Sequence, residues 1–281
     1  MKDTLFSVKK TLNIRGMLYV LDRPRIMGIV NLTPDSFYSK SRVKRDDAIK
    51  ILVGTMLLEG ADFIDLGGYS SRPGAAHVSE QEERDRILPA IRVILKNYPD
   101  TLISIDTFRS SIARMAYEEG ASLINDISGG QLDEQMFKTI SEIRIPYILM
   151  HMRGNPKTMD SLTVYDNLFK EMIIYFERKI KELNDIGVQD IIADPGFGFA
   201  KSLDQNYELL KNFTYFEVLG YPLLVGLSRK SMIFKLLEVQ PSEALNGTTV
   251  LNTVSLLKKA SILRVHDIKE AKEVIKLVAK L

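Results

Sequence analysis

The sequence predicts an α/β fold, specifically a single-domain (β/α)8 TIM barrel with an N-terminal hairpin extension. Three observations support this. Eight short, nearly continuous apolar runs alternate with amphipathic segments, as in a parallel sheet covered by helices. Every run ends in polar or glycine-rich residues, where a barrel of this kind builds its active site. The length of 281 residues suits one barrel, which takes about 250 residues.

The predicted strands cover residues 25–31, 62–67, 101–107, 122–126, 146–151, 190–194, 222–227 and 262–265. Eight such strands would also fit an open doubly wound sheet, so the pattern alone favours the barrel without excluding that alternative. Residues 1–24 precede the first strand and form a predicted extension, and residues 25–281 form the predicted barrel domain. Arg15-Gly16 separates two apolar segments of this extension and indicates a hairpin that closes the bottom of the barrel.

The segments between the strands have helical patterns. Ile49, Leu52, Val53 and Met56 lie on one helical face, and Gly60 marks a stop. Residues 79–82, Ser-Glu-Gln-Glu, are typical of a capping box that opens the next helix.

The composition excludes several classes of protein. A net charge of +2 gives no reason to expect a nucleic-acid or membrane-surface partner. The absence of cysteine excludes disulfides and thiolate metal sites. No apolar run is long enough for a signal peptide or a membrane span. A cytoplasmic enzyme is therefore expected.

The predicted strand ends carry the side chains that suit chemistry. They are Asn31, Asp106, Asn125, Asp126, His151, Asp194, Ser228, Arg229, Lys230, Ser231, Arg264 and His266, with a Gly67-Gly68 pair leading into residues 70–74. A single Asp or Asn at such a position caps the following helix about as often as it serves a site. Convergence of all these ends on one rim favours a site.

The chemistry of this set points to a substrate with a basic ring and an anionic tail. Carboxylates such as Asp106 and Asp194 accept two neighbouring N–H donors, as on the edge of a planar heterocycle. Lys230, Arg264 and His266 suit phosphate or carboxylate groups. The chain has no Walker sequence and no dinucleotide fingerprint, and its three histidines lack a metal-ligand spacing.

Several motifs, in order, resemble those of the dihydropteroate synthases. They are residues 27–37 (MGIVNLTPDSF), 70–74 (SSRPG), 104–107 (SIDT), 124–127 (INDI), 149–152 (LMHM), 194–199 (DPGFGF), 228–231 (SRKS) and 264–267 (RVHD). The resemblance runs from about Arg25 to the C-terminus. It implies condensation of 6-hydroxymethyl-7,8-dihydropterin pyrophosphate with p-aminobenzoate, giving 7,8-dihydropteroate and pyrophosphate. It also implies a homodimer and a sulfonamide target.

The resemblance implies a role for each matching residue. The pterin ring would be bound by Asp106, Asn125, Met150, Asp194, Phe199 and Lys230. The pyrophosphate would be bound by Asn31, Ser71, Arg72, Arg264 and His266, with Asn31 also holding Mg2+. The aminobenzoate would be bound by Phe37, Ser71, Pro73 and Ser231. The catalytic set would be Asn31, Asp35, Arg72, Lys230, Arg264 and His266.

Two alternatives remain open from the sequence. One is a methyltransferase domain that acts on methyltetrahydrofolate, which binds a pterin but has no use for a pyrophosphate clamp. The other is a non-catalytic pterin-binding paralogue. It is left open by Tyr38-Ser39-Lys40-Ser41, which stands where the family commonly has a turn resembling Ser-Asp-Gly-Gly. Ser71, by contrast, keeps the hydroxyl of the family's usual Thr.

Overall fold

The eight predicted strands form one parallel sheet that curls into a barrel. The structure is a computed structural model that describes residues 8–32, 42–69 and 78–281. The strands are β3 (Arg25–Asn31), β4 (Phe63–Gly67), β5 (Ile103–Asp106), β6 (Leu123–Asp126), β7 (Tyr147–Met150), β8 (Ile191–Asp194), β9 (Leu224–Val225) and β10 (Ile262–Val265). Their order is β8-β7-β6-β5-β4-β3-β10-β9, so sequence neighbours pair and β3 pairs with β10. The barrel prediction is confirmed.

The two ends of the sheet meet between β8 and β9. Ala193 forms a parallel bridge with Leu223, and its amide donates to the Pro222 carbonyl at 2.9 Å. The predicted extent of this strand, 222–227, was wrong, because only Leu224–Val225 is a strand. Proline has no N–H for the ladder, and the chain after Val225 turns towards the polar segment 228–231.

Helices cover the outside of the barrel. They are α1 (Arg42–Glu59), α2 (Glu80–Asn97), α3 (Ser110–Glu118), α4 (Met136–Ile143), α5 (Leu168–Asp185), α6 (Leu203–Lys211), α7 (Ser231–Leu237), α8 (Leu245–Leu257) and α9 (Ile268–Val278). Ser79 and Glu82 form the predicted capping box of α2. Within the described ranges, none of the helices has the length and apolar character that a bilayer crossing needs.

The hairpin closes the bottom of the barrel, as the sequence predicted. Strands β1 (Thr11–Ile14) and β2 (Met17–Val20) pair antiparallel, and Arg15 and Gly16 form the turn with φ of +53° and +79°. Leu12 and Ile14 of β1 are buried in one cluster with the first inward-facing residues of the strands, Met27, Phe63, Leu123, Ile148, Ile192, Leu224 and Ile262. This apolar layer leaves the polar residues of the barrel interior at the opposite, carboxyl end of the strands.

Candidate active site

A cavity of about 570 Å³ opens at the carboxyl end of the barrel. This volume falls within the range of about 300–1,000 Å³ that is usual for small-molecule sites. Seven of the residues predicted for the site line it, namely Asn31, Asp106, Phe199, Lys230, Ser231, Arg264 and His266. The predicted convergence of strand ends on one rim is therefore observed for these residues.

Two carboxylates hold Arg264 at the floor of this cavity. Its Nε donates to Asp65 Oδ2 at 2.6 Å and its Nη2 donates to Asp106 Oδ2 at 2.7 Å. Asp65 is fully buried, and its Oδ2 also accepts from Asn125 Nδ2 at 3.1 Å. A single carboxylate oxygen thus orients both an arginine assigned to the pyrophosphate and an amide assigned to the ring.

Sequence reasoning missed Asp65. The signal was a charged residue inside the apolar run Phe63-Ile64-Asp65-Leu66. Alternation along a strand puts Asp65 on the same side as Phe63, which faces the barrel interior. A charge in that position needs a buried partner, and Arg264 is that partner.

Burial and charge set the ionisation of these groups. Burial raises the pKa of Asp106 to about 7, against the opposing charge of Arg264. Burial alone would lower the pKa of Arg264, but the carboxylates of Asp65 and Asp106 outweigh it and raise that pKa above its usual range. Arg264 is therefore a permanent cation, whereas Asp106 can exchange a proton near neutral pH.

Asp194 and Lys230 both bond to the tight turn that follows β8 and lines the cavity. Asp194 is buried, and its Oδ1 accepts from the Gly196 amide at 2.7 Å. Burial raises the pKa of Asp194, while the Lys230 cation opposes that shift. Burial lowers the pKa of Lys230 to about 8. The Lys230 ammonium donates to the Phe197 carbonyl and lies 4.7 Å from the centre of the Phe199 ring.

The loop after β9 is braced against β10. His266 Nδ1 lies 3.0 Å from Ser228 Oγ, and the same hydroxyl accepts from the His266 amide at 3.2 Å. The Arg229 guanidinium is bound to Asp267 at 2.5 Å, so its charge is compensated. These contacts fix the loop that presents Lys230, and Ser231 begins α7 at the edge of the cavity.

The remaining predicted residues within the described ranges lie beneath or beside the cavity. Asn125, Met150 and Asp194 are buried and do not line it. Met150 packs in a small cluster against which Phe199 also packs. Asp126 has only structural partners, because it accepts from the amides of Ser128 and Gly130 and from the Tyr147 hydroxyl.

The predicted residues Asp35, Phe37, Ser71, Arg72 and Pro73 lie outside the described residues. The fit of a metal is therefore judged from the described part of the chain, which contains no cluster of three acidic or histidine side chains suited to a metal. Asn31 Oδ1 and Asp106 Oδ2 both lie beside Gly67. A Cβ atom placed on that glycine would be 3.9 Å from Asn31 Oδ1 and 3.8 Å from Asp106 Oδ2. Such an edge with few protein oxygens suits Mg2+, which usually keeps several waters and shares the substrate's phosphate oxygens.

The chain is similar to proteins of known name over nearly its whole length. Residues 27–266 match the family described as pterin binding enzymes. The chain is 42% identical to the dihydropteroate synthase of Escherichia coli K12 over 268 residues, 94% of each chain. Its fold matches the Yersinia pestis dihydropteroate synthase in complex with a sulfonamide drug, with a TM-score of 0.89, 37% identity and coverage of 96% and 98%. It also matches the Xanthomonas albilineans dihydropteroate synthase with 4-aminobenzoic acid, with a TM-score of 0.88, 33% identity and coverage of 96% and 97%.

Proposed function

Because the chain belongs to the dihydropteroate synthases among the pterin-binding enzymes, we propose that the cavity described above carries out their reaction. The enzyme is a transferase of folate biosynthesis. It condenses 6-hydroxymethyl-7,8-dihydropterin pyrophosphate with p-aminobenzoate to give 7,8-dihydropteroate and pyrophosphate. One observation carries the assignment of roles: a single cavity brings together the Asp106 carboxylate and the basic side chains of Lys230, Arg264 and His266, with Arg264 held by Asp65 and Asp106.

Asp106, Asn125 and Asp194 form the proposed binding site of the pterin ring. Asp106 and Asp194 offer carboxylate oxygens to the ring's N–H groups, and Asn125 offers an amide held in place by Asp65. Phe199 lines the cavity and packs against the buried cluster that contains Met150, and both side chains suit the flat faces of the ring. Lys230 lies between the Phe199 ring and the Phe197 carbonyl, where it can donate to a ring acceptor.

The cationic side is the proposed binding site of the pyrophosphate. Arg264 and His266 alternate on the same strand end and both line the cavity. Asn31 Oδ1 would hold Mg2+ beside them, where the ion would neutralise charge that develops on the phosphate oxygens. Ser71 and Arg72 are further proposed contacts of the anion.

The proposed step is a displacement at the exocyclic methylene of the pterin. The carbon–oxygen bond to pyrophosphate breaks, and its electron pair leaves with the pyrophosphate, while the aniline nitrogen forms the new bond to carbon and then releases a proton. Arg264 and His266 stabilise the leaving anion, and the acids around the ring favour the positive charge that the ring delocalises. No general base is required, because the aniline nitrogen is neutral at physiological pH.

The second substrate is proposed to bind at the mouth of the cavity. Ser231, at its edge, would meet the carboxylate, and Phe37, Ser71 and Pro73 would contact the aromatic ring. The catalytic roles of Asp35 and Arg72 belong to the same proposal. Sulfonamides are expected to compete with p-aminobenzoate for this site, in keeping with the drug in the Yersinia pestis structure.

A homodimer is proposed as the assembly. Its support is a set of exposed leucine and valine side chains on α7 and α8, namely Leu236, Leu237, Val250 and Leu257. Light scattering of the purified protein should give twice the mass of 31.9 kDa. The corresponding proposal for the cell is a cytoplasmic location, which cell fractionation tests.

A steady-state assay of pyrophosphate release tests the function. We expect release to require both the pterin pyrophosphate and p-aminobenzoate, and to fall when Mg2+ is chelated. A non-catalytic pterin-binding protein would bind the pterin without releasing pyrophosphate, and that result would overturn the proposal.

A further inference from the structure

The turn of residues 196–200, which forms one wall of the cavity, is held in place mainly by side chains. Gly196, Gly198 and Ala200 all have left-handed backbones, with φ of +70°, +81° and +50°. This alternation cannot form regular secondary structure, so the carbonyls of the turn need other partners. The one backbone hydrogen bond recorded within the turn joins the Phe199 amide to the Gly196 carbonyl at 3.1 Å.

Lys201 adds two hydrogen bonds to the carbonyls of the turn, one to Gly196 and one to Phe199. Its Nζ donates to the carbonyl of Gly196 at 3.0 Å and to the carbonyl of Phe199 at 2.9 Å. The third contact of the same atom is His151 Nδ1 at 3.1 Å. Lys230 reaches the Phe197 carbonyl from the cavity side, and the Tyr165 hydroxyl donates to the Ala200 carbonyl at 3.0 Å.

The contacts of Lys201 are satisfied in either protonation state. Its side chain is buried, and burial lowers its pKa to about 7. Burial also lowers the pKa of His151 well below its usual range, so the imidazole is neutral. An ammonium group donates to all three acceptors, while a neutral amine donates to the two carbonyls and accepts from the Nδ1 proton of the other His151 tautomer. The geometry of the turn therefore does not depend on the charge of Lys201.

We propose that Lys201, seated on His151, is a positioning residue that holds the 196–199 turn in the shape the pterin ring requires. Its two carbonyl contacts bracket the segment that carries Phe199 and that accepts the bond from Lys230. Lys201 is buried, does not line the cavity, and has all three recorded contacts of its Nζ within the protein. It acts through the placement of the Phe199 ring and the Lys230 ammonium. This inference rests on the proposed binding of the pterin at this wall.

The experiment compares two ligands that report on the two ends of the cavity. The Lys201→Met variant removes the nitrogen and keeps the length of the side chain. We expect its dissociation constant for 6-hydroxymethyl-7,8-dihydropterin to rise about tenfold or more, because the ring would lose its contact with a misplaced Lys230 ammonium, and a hydrogen bond to a charged group is worth about tenfold or more in affinity. The dissociation constant for inorganic pyrophosphate with Mg2+ should stay at the wild-type value. In turnover, KM for the pterin substrate should rise while kcat at saturation changes little.

Lys179→Met is the matched control. Lys179 is also a buried lysine, but it lies on α5, 3.5 Å from Glu182 and 4.8 Å from the centre of the Phe137 ring. We expect this variant to bind both ligands as the wild type does. If Lys201→Met does not fold, His151→Gln removes one of the three contacts of Lys201 and should cause a smaller loss, again confined to the pterin.

A double variant tests whether Lys201 acts through Phe199. Residues that share one network give non-additive losses. Combining Lys201→Met with Phe199→Leu should therefore weaken pterin binding by less than the product of the two single effects. If the loss of pterin affinity in the double variant equals the product of the two single losses, the two residues act separately and the inference is overturned.

The outcomes separate this inference from the proposed function. Unchanged pterin affinity in Lys201→Met, or an equal loss of pterin and pyrophosphate, would overturn the positioning role while leaving the function intact. Failure of the wild type to bind the pterin in the same titration would overturn both.

Discussion

Replacing Asp194 by asparagine should selectively weaken pterin binding. Asn keeps an oxygen that can accept from the Gly196 amide, now bonded at 2.7 Å, so the turn should survive. The change removes a charge and places an NH2 group against the ring's N–H donors. Asp194 is 6% exposed, so water cannot replace the lost acceptor. Loss of a hydrogen bond to a charged group costs about 1.5–3 kcal/mol, which corresponds to roughly 10- to 150-fold in affinity.

Calorimetric titration with 6-hydroxymethyl-7,8-dihydropterin measures this loss. Asp133→Asn is the control, because Asp133 also accepts from backbone amides, those of Ser110 at 2.7 Å and Gln135 at 2.9 Å, but these amides begin α3 and precede α4 on the outside of the barrel. The control should bind the pterin normally. If Asp194→Asn bound it as tightly as the wild type, Asp194 would serve only the turn, and its assignment to the ring would be wrong.

Three further predictions follow from the charges of the site. Arg264→Ala and His266→Ala should weaken binding of the pterin pyrophosphate far more than binding of the free hydroxymethyl pterin. Equal losses of affinity for the two ligands in calorimetry would contradict the proposed pyrophosphate clamp. Pterin affinity should fall as the pH is lowered from about 8 to about 6, because Asp106, whose pKa burial raises to about 7, then gains a proton and loses acceptor strength. Asp106→Asn should bind weakly and should not show this fall, because Lys230, whose pKa burial lowers to about 8, only gains positive charge as the pH drops. A wild-type affinity that falls no more than that of Asp106→Asn over this range would refute the assignment. Binding of p-aminobenzoate should tighten when Mg2+ and pyrophosphate are present, and matching dissociation constants with and without them would exclude this coupling.

The architecture was predictable because it depends on local patterns. Each barrel strand is buried on both faces and therefore appears as a short apolar run. The Arg15-Gly16 turn was identifiable because two apolar segments flank it, and both residues adopt positive φ. The strand around Leu224 was predicted too long, because an apolar run does not show where backbone pairing stops.

The partners of the site residues were less predictable, because they lie far apart in sequence. Arg264 is bonded to Asp65, 199 positions away, and a strand pattern gives no information about such a pair. Lys201 looks like an ordinary loop lysine, and only the packing of His151 and Tyr165 around the turn shows why it is buried. The motifs gave the positions of the proposed ligand contacts, and three-dimensional packing gave the residues that hold them.

The most direct test of the account is a single-turnover experiment with enzyme in excess over 6-hydroxymethyl-7,8-dihydropterin pyrophosphate. The quenched reaction is analysed for 7,8-dihydropteroate and for pyrophosphate, with and without p-aminobenzoate. The account predicts that both products appear together in equal amounts when p-aminobenzoate is present, and that Arg264→Ala slows both equally. A protein that binds the pterin pyrophosphate but forms no dihydropteroate would contradict the account.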